Sequence, residues 1–264
     1  MAMNRRLALM IDGDNAQAAL LPLMLAEVSK YGTMTIRRVY GDWTEPGMKS
    51  WKEALHIYAL QPIQQFRYTQ GKNATDSALI IDAMDILYTA GIDGFCIASS
   101  DSDYTRLATR IREKNLFVMG IGKNLTPRAF VNACDVFVYT ENLKAASPND
   151  VETIPKQNGE RVQEAVPTKA ADLARLERLF RTAFEVAVQD DGWAPLSALG
   201  SSLRQLDPGF DPRTYGHKQL SQLVEAATGF IEVRKAKTDT SHVMISVRPK
   251  QPPKRKEKPS TPAS

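Results

Sequence analysis

The chain has 264 residues, room for a packed domain of medium size and a smaller one beside it. Apolar residues make up 43% and charged residues 24%, the balance of a folded domain, and no apolar run approaches the roughly 20 residues that cross a bilayer. A net charge of +4 is too small by itself to argue for nucleic acid, although the last sixteen residues hold five Lys or Arg and a single Glu.

Met1 to Arg6 leads straight into an apolar run, so no secretory signal fits before it. The two cysteines, Cys96 and Cys134, have no metal-ligand spacing, and a reducing cytoplasm is the expected location. Leu7 to Ile11 is an uninterrupted apolar run that stops at Asp12, which reads as a strand buried on both faces of a parallel sheet. Gly13 marks a turn, and Asp14 or Asn15 is placed to cap a helix over Ala16–Lys30. Strands are expected over Thr35–Tyr40, Pro62–Tyr68, Gly94–Ala98, Leu116–Ile121 and Val136–Tyr139. Helices are expected between them over Lys49–Tyr58, Asp76–Thr89, Tyr104–Lys114 and Pro127–Ala133. This alternation predicts a mostly parallel α/β sheet with helices on both faces across residues 5–143.

Residues 144–169 lose all periodicity to Pro, Asn and Gly and read as a linker. A second unit over residues 170–248 has a helix from Asp172, a turn at Asp190–Trp193, helices at Ser197–Leu206 and Leu220–Ala227, and strands at Phe230–Lys235 and Val243–Val247. That order suggests a small winged-helix-like fold. Residues 249–264 form a basic, Pro/Lys-rich tail expected to be disordered, in which Lys254, Arg255 and Lys256 offer salt-dependent phosphate attraction.

The acids Asp12, Asp14, Asp76, Asp82, Asp101, Asp103 and Asp135 follow strands or open helices. If the first and fourth strands are neighbours, Asp12 and Asp101 face each other where open α/β sheets hold their ligands. Two carboxylates about 4 Å apart repel by roughly 4 kcal/mol at an effective dielectric of 20, so three or four together must protonate in part or bind a hard cation. Oxygen-only donors favour Mg²⁺ or Mn²⁺ over zinc, and such a site suits hydrolysis of a phosphodiester. Asp103 also reads as a helix cap and Asp135 as a turn acid. The three histidines sit apart without a nucleophile motif, and Gly120-Ile121-Gly122 lacks the lysine of a phosphate loop. Asp12-Gly13-Asp14 is similar to the haloacid-dehalogenase phosphatase motif, but Asn15 stands where that family has Thr or Val.

Ile11-Asp12-Gly13-Asp14-Asn15, Lys72-x3-Asp76 with Ile80-Ile81-Asp82-Ala83-Met84-Asp85, and Ser99-Ser100-Asp101-Ser102-Asp103-Tyr104 together resemble the NYN domain, nearest its LabA-like (DUF88) branch. Gly120-x-Gly122, Thr126-Pro127 and Ala133-Cys134-Asp135-Val136-Phe137 follow the same pattern. The resemblance implies a PIN-like fold and a metal-dependent ribonuclease site. In it Asp12, Asp76 and Asp101 would hold Mg²⁺ or Mn²⁺, Asp103 would be a further ligand or orient water, and Asn15 and Ser100 would be polar helpers. Lys72, Arg106 and Lys123, near predicted strand ends, are placed to offset the repulsion of an RNA backbone by the acids.

Asp191-Gly192-Trp193, Leu196-x2-Leu199-Gly200, Pro208-x-Phe210-Asp211-Pro212-Arg213-x-Tyr215-Gly216 and Leu220-Ser221-x2-Val224 resemble the OST-HTH/LOTUS domain. That resemblance implies a module that binds RNA, notably G-rich RNA, or in some animal proteins a helicase; the RNA substrate is expected to be single-stranded or structured. Trp193, Phe210 and Leu220 are expected in its core, with Arg204, Arg213 and Lys218 as the surface candidates for phosphate contacts. Together the expectations describe a ribonuclease with an RNA-binding module. The alternative is a non-catalytic RNA-binding adaptor that keeps the fold.

Overall fold

The computed structural model describes residues 5–66, 74–145, 169–237 and 243–250. Lys72, the segment 146–168 that holds nearly all of the expected linker, and the basic tail beyond Lys250 lie outside the described residues. The described residues form two compact units.

The first unit is a six-stranded sheet in the order β3-β2-β1-β4-β5-β6, every neighbouring pair parallel. Its strands are β1 (Arg5–Asp12), β2 (Gly32–Gly41), β3 (Gln61–Gln64), β4 (Gly94–Ala98), β5 (Phe117–Gly122) and β6 (Val136–Tyr139). Its helices are α1 (Leu21–Val28), α2 (Lys49–Tyr58), α3 (Ala74–Thr89), α4 (Thr105–Glu113), α5 (Arg128–Ala133) and α6 (Thr140–Ala145). Six parallel strands covered by helices are the PIN-like α/β fold. Because successive side chains of a strand point to opposite faces, β1 divides the core between two layers. Ala8 and Met10 pack with Leu79 and Ala83 of α3, Leu107 and Ile111 of α4, and Phe130 of α5. Leu7, Leu9 and Ile11 pack with Leu21 and Met24 of α1, Trp51 of α2 and Leu143 of α6. Burial on both faces is why the run reads as unbroken apolar sequence.

Several elements differ from expectation. The helix after Asn15 starts late, as a 3-10 turn at Ala18–Leu20 that runs into α1, where Pro22 fixes the first turn. Neither Asp14 nor Asn15 caps it: the N-cap of the 3-10 turn is Gln17, without a side-chain bond, and the Asn15 amide is turned toward Asp12. Helix α6 follows β6 with no turn signal and is absent from the sequence reading. The segment Asp207–Gly216 belongs to the first unit. There the Phe137 N–H donates to the Pro208 carbonyl at 2.8 Å, and a Cβ on Gly209 would come within 2.7 Å of the Tyr139 hydroxyl.

The second unit contains α7 (Lys169–Ala187), β7 (Ala194–Pro195), α8 (Leu196–Leu206), α9 (Leu220–Ala226), β8 (Ile231–Lys237) and β9 (Val243–Pro249). Its sheet is antiparallel in the order β7-β9-β8. Leu176, Phe180 and Ala183 of α7, Leu199 and Leu203 of α8, Leu223 and Val224 of α9, with Ile231 and Val247, are its buried core. Phe180 meets Phe230 edge to face at 6.1 Å.

Candidate active site and metal centre

Strands β1 and β4 are hydrogen-bonded neighbours, with Ile11 level with Ala98, so the residues after each emerge side by side at the reversal of strand order. Asp12 is the last residue of β1 and is fully buried. The turn after it is held by the Gly13 N–H on the Tyr40 carbonyl at 2.9 Å and by the Trp51 indole N–H on the Gly13 carbonyl at 3.1 Å. A Cβ on Gly13 would lie 2.8 Å from that Tyr40 oxygen, so the close approach requires glycine.

The Asp12 carboxylate accepts four hydrogen bonds. Its Oδ1 takes the backbone N–H groups of Asp14 (3.1 Å) and Asn15 (3.3 Å), and its Oδ2 takes the Asn15 amide (2.6 Å) and the Ser99 hydroxyl (2.9 Å). A carboxylate has about four acceptor positions, so these are filled. Burial pushes the Asp12 carboxyl above its ordinary value, opposed by the bonds from Asn15, Ser99 and Asp14. Ser99 ties the two strand ends together, because its oxygen also accepts the Asp101 N–H at 3.1 Å.

Beside Asp12, carboxylate oxygens of Asp76, Asp101 and Asp103 all lie within 4.8 Å of one another. Asp76 comes from the first turn of α3, where an acid suits the helix dipole. Asp101 caps the 3-10 turn Ser102–Tyr104 by accepting the Asp103 N–H at 2.9 Å, so the capping acid is Asp101 and not Asp103. The buried Tyr104 hydroxyl donates to Asp76 Oδ1 at 2.6 Å. Burial raises the Asp76 carboxyl, the Tyr104 bond opposes it, and the charges of Asp12, Asp101 and Asp103 raise it further. The same burial and neighbouring acids push the Tyr104 phenol far up, so it remains a donor. Three clustered carboxylates fit a hard divalent cation, which takes one or two of them and completes its shell with water.

Asp103, expected as a further ligand, stands with Asp76 and Asp101 in this group, and Asp12 lies outside it while its charge acts on Asp76. Ser99 and Tyr104 are the contributors that sequence reasoning missed, since a serine after a strand and a tyrosine opening a helix each look ordinary. The pairing of β1 with β4 reveals Ser99, and the approach of α3 to the turn after β4 reveals Tyr104. The Ser100 hydroxyl accepts the Lys123 backbone N–H at 2.9 Å and links the ends of β4 and β5. Lys123 and Arg106 have exposed side chains, at the end of β5 and in the first turn of α4. Gly122 permits the close packing of β5, since a Cβ there would lie 2.6 Å from the Ser99 carbonyl.

Other candidates are structural. Asp82 is held by Arg38 and by the Tyr40 hydroxyl. Asp135 accepts the Val118 N–H at 2.8 Å and pairs with Arg112, at the edge of the sheet where β5 and β6 begin. Arg213 corrects an expectation: rather than facing solvent, its guanidinium binds Asp211 (2.6 Å) and Glu27 (3.0 Å) with only 16% of the side chain exposed. Burial works against its charge, but the two carboxylates more than offset this and hold its pKa above the ordinary value. Arg204 and Lys218 are exposed. Trp193, expected in the core, is half-buried under two arginines of the second unit's sheet. Phe210 and Leu220 are likewise only half-buried.

Comparison with known proteins gives two sequence families. The NYN domain profile matches residues 6–143, just over half the chain, and the OST-HTH/LOTUS domain profile matches residues 169–243. No curated protein matches. Among solved structures, a protein of unknown function from Vibrio parahaemolyticus is 17% identical, with a TM-score of 0.44, over 53% of this chain and 94% of that one. An uncharacterized protein from Nitrosomonas europaea is 26% identical, with a TM-score of 0.28, over 40% of this chain and 93% of that one. A fragment (175–257) from Chromobacterium violaceum is 34% identical, with a TM-score of 0.25, over 31% of this chain and 91% of that one. The chain therefore belongs to the NYN domain family and carries an OST-HTH/LOTUS domain in its C-terminal part.

Proposed function

We propose that this chain is a ribonuclease of the LabA-like branch that hydrolyses RNA phosphodiesters with Mg²⁺ or Mn²⁺, and that the OST-HTH/LOTUS module retains the RNA. The observation that carries the reading is the gathering of Asp76, Asp101 and Asp103 within 4.8 Å at the reversal point of a PIN-like sheet. These three would hold the cation, and Asp103, the exposed member, is placed to orient the attacking water. A bound divalent ion there supplies a lowered water pKa and charge stabilisation on the phosphate. Asp12 acts through Ser99 and Asn15, keeping the two strand ends in register, and adds negative charge behind the trio. Lys123, Arg106 and Ser100 line the approach for the RNA backbone, and Arg204 and Lys218 offer phosphate contacts on the module. Single-stranded or structured RNA, G-rich sequences among them, is the proposed ligand.

A non-catalytic RNA-binding adaptor is the second reading, favoured by one observation: the acceptor positions of Asp12 are already filled. The readings separate when labelled RNA is incubated with Mn²⁺ and wild-type protein, Asp76→Asn or Asp101→Asn. A nuclease loses on the order of 10²-fold or more in rate in each variant, the scale of removing one electrostatic stabiliser. Cleavage unchanged in both variants contradicts the assignment. RNA retention without cleavage under either metal establishes the adaptor.

A further inference from the structure

On the face of the second unit's sheet, two arginine guanidiniums share one indole. The Cζ atoms of Arg234 and Arg248 each lie 4.7 Å from the centroid of the Trp193 ring. The sheet register creates this grouping. Arg248 on the central strand β9 pairs with Glu232 of β8, Ala194 pairs with Val247, and Arg234 lies opposite Ser246 on the same face. The arginine side chains are 47% and 48% exposed, so the patch meets solvent.

Each guanidinium also has a carboxylate partner, Asp191 for Arg234 at 2.7 Å and Glu232 for Arg248 at 2.6 Å. Those acids are 49% and 38% exposed, and exposed pairs of this kind contribute little, so a phosphate oxygen can replace either carboxylate at small cost. A tryptophan at the surface needs a reason, because its area is ordinarily buried or used for binding. Planar cations over an aromatic ring match the chemistry of an unpaired strand, whose bases stack on indole or guanidinium while its phosphates take the N–H groups. An acidic peptide would use the charges but leave the ring without a role.

We propose that Trp193, Arg234 and Arg248 form a stacking platform for single-stranded RNA on the second unit. The platform deepens the RNA-binding reading above and rests on it. None of the three appears among the phosphate contacts expected from the sequence, where Trp193 reads as core.

The test uses full-length protein in EDTA, so that bound RNA is not cut, with a labelled single-stranded oligoribonucleotide as probe. The double variant Arg234→Gln/Arg248→Gln is expected to bind at least about fivefold more weakly, the scale of one lost stacking contact. Arg178→Gln, an exposed charge on α7, is expected to bind as wild type. Trp193→Phe keeps a ring and is expected to retain most of the affinity while losing part of the tryptophan quench that RNA produces in the wild type. Circular dichroism melts confirm that the variants fold. Wild-type affinity in the double variant, an equal loss in Arg178→Gln, or an undiminished quench in Trp193→Phe overturns the platform while RNA binding itself stands. Competition by an acidic peptide but not by unlabelled RNA overturns it in favour of a protein partner. A wild-type protein that binds no RNA overturns both the platform and the broader reading.

Discussion

Among individual residues, the hydroxyl of Tyr104 sets the geometry of the site. It donates to Oδ1 of Asp76, one of the three carboxylates proposed to hold a cation. Tyr104→Phe keeps the packing against Phe130 and removes only that bond. Hydrogen bonds to charged groups contribute about 1.5–3 kcal/mol, so Mn²⁺ affinity should fall on the order of tenfold or more, read by calorimetric titration, with the fold retained. An unchanged affinity would show that Asp76 is held by its helix alone. The pH dependence follows from the raised carboxyls of Asp12 and Asp76. An acid whose folded pKa lies above its unfolded value of 3.8 binds more protons in the folded state between the two values. For these two groups, stability of the metal-free protein therefore declines as pH rises through that window. Divalent binding has the opposite trend, because protons compete with the cation for the Asp76 oxygens. Scanning calorimetry in EDTA and in Mn²⁺ should show the stabilisation by metal shrinking steadily as pH is lowered from neutral toward 4; a constant increment would contradict the acids as ligands.

At the level of elements, strands β1, β4, β5 and β6 were legible because a strand covered on both faces leaves an apolar run, whereas β2 carries Arg37 and Arg38 and β3 is mostly exposed. Their parallel pairing followed from the alternation with helices. Asp12 and Asp101 at neighbouring strand ends were readable for the same reason. What escaped was short or depended on a partner distant in sequence. Helix α6 and strand β7 carry no boundary signal, and β7 has only two residues. The Arg213 side chain reads as solvated because Glu27, its partner, is 186 residues away. That ion pair is largely buried, and Arg213→Ala takes the guanidinium from Asp211 and leaves Glu27 with the exposed Lys30 as partner, at a cost of up to about 3 kcal/mol, so it should lower the denaturant midpoint markedly while Arg204→Ala leaves it nearly unchanged. A similar midpoint for both would mean that the buried pair contributes little. Gly122→Ala places a methyl against the Ser99 carbonyl and should destabilise by about 1–3 kcal/mol, with weaker Mn²⁺ binding because Ser99 orients both Asp12 and Asp101.

For the whole molecule, the chain joins an acidic nuclease-type site to a module whose family is associated with RNA. The net charge is only +4, so under the proposed function local patches rather than a global field would guide an RNA. Retention of RNA in EDTA should weaken as salt rises, with a slope set by the few phosphates engaged. A salt-independent affinity would instead point to contacts with bases alone. Because Asp207–Gly216 belongs to the first unit, point variants test the module more cleanly than its deletion. The most direct measurement is anomalous diffraction from crystals soaked in Mn²⁺. The account predicts an ion in direct contact, between about 2.0 and 2.6 Å, with carboxylate oxygens of at least two of Asp76, Asp101 and Asp103, with waters completing its shell. Manganese bound only elsewhere, with those three carboxylates left uncoordinated, would contradict it.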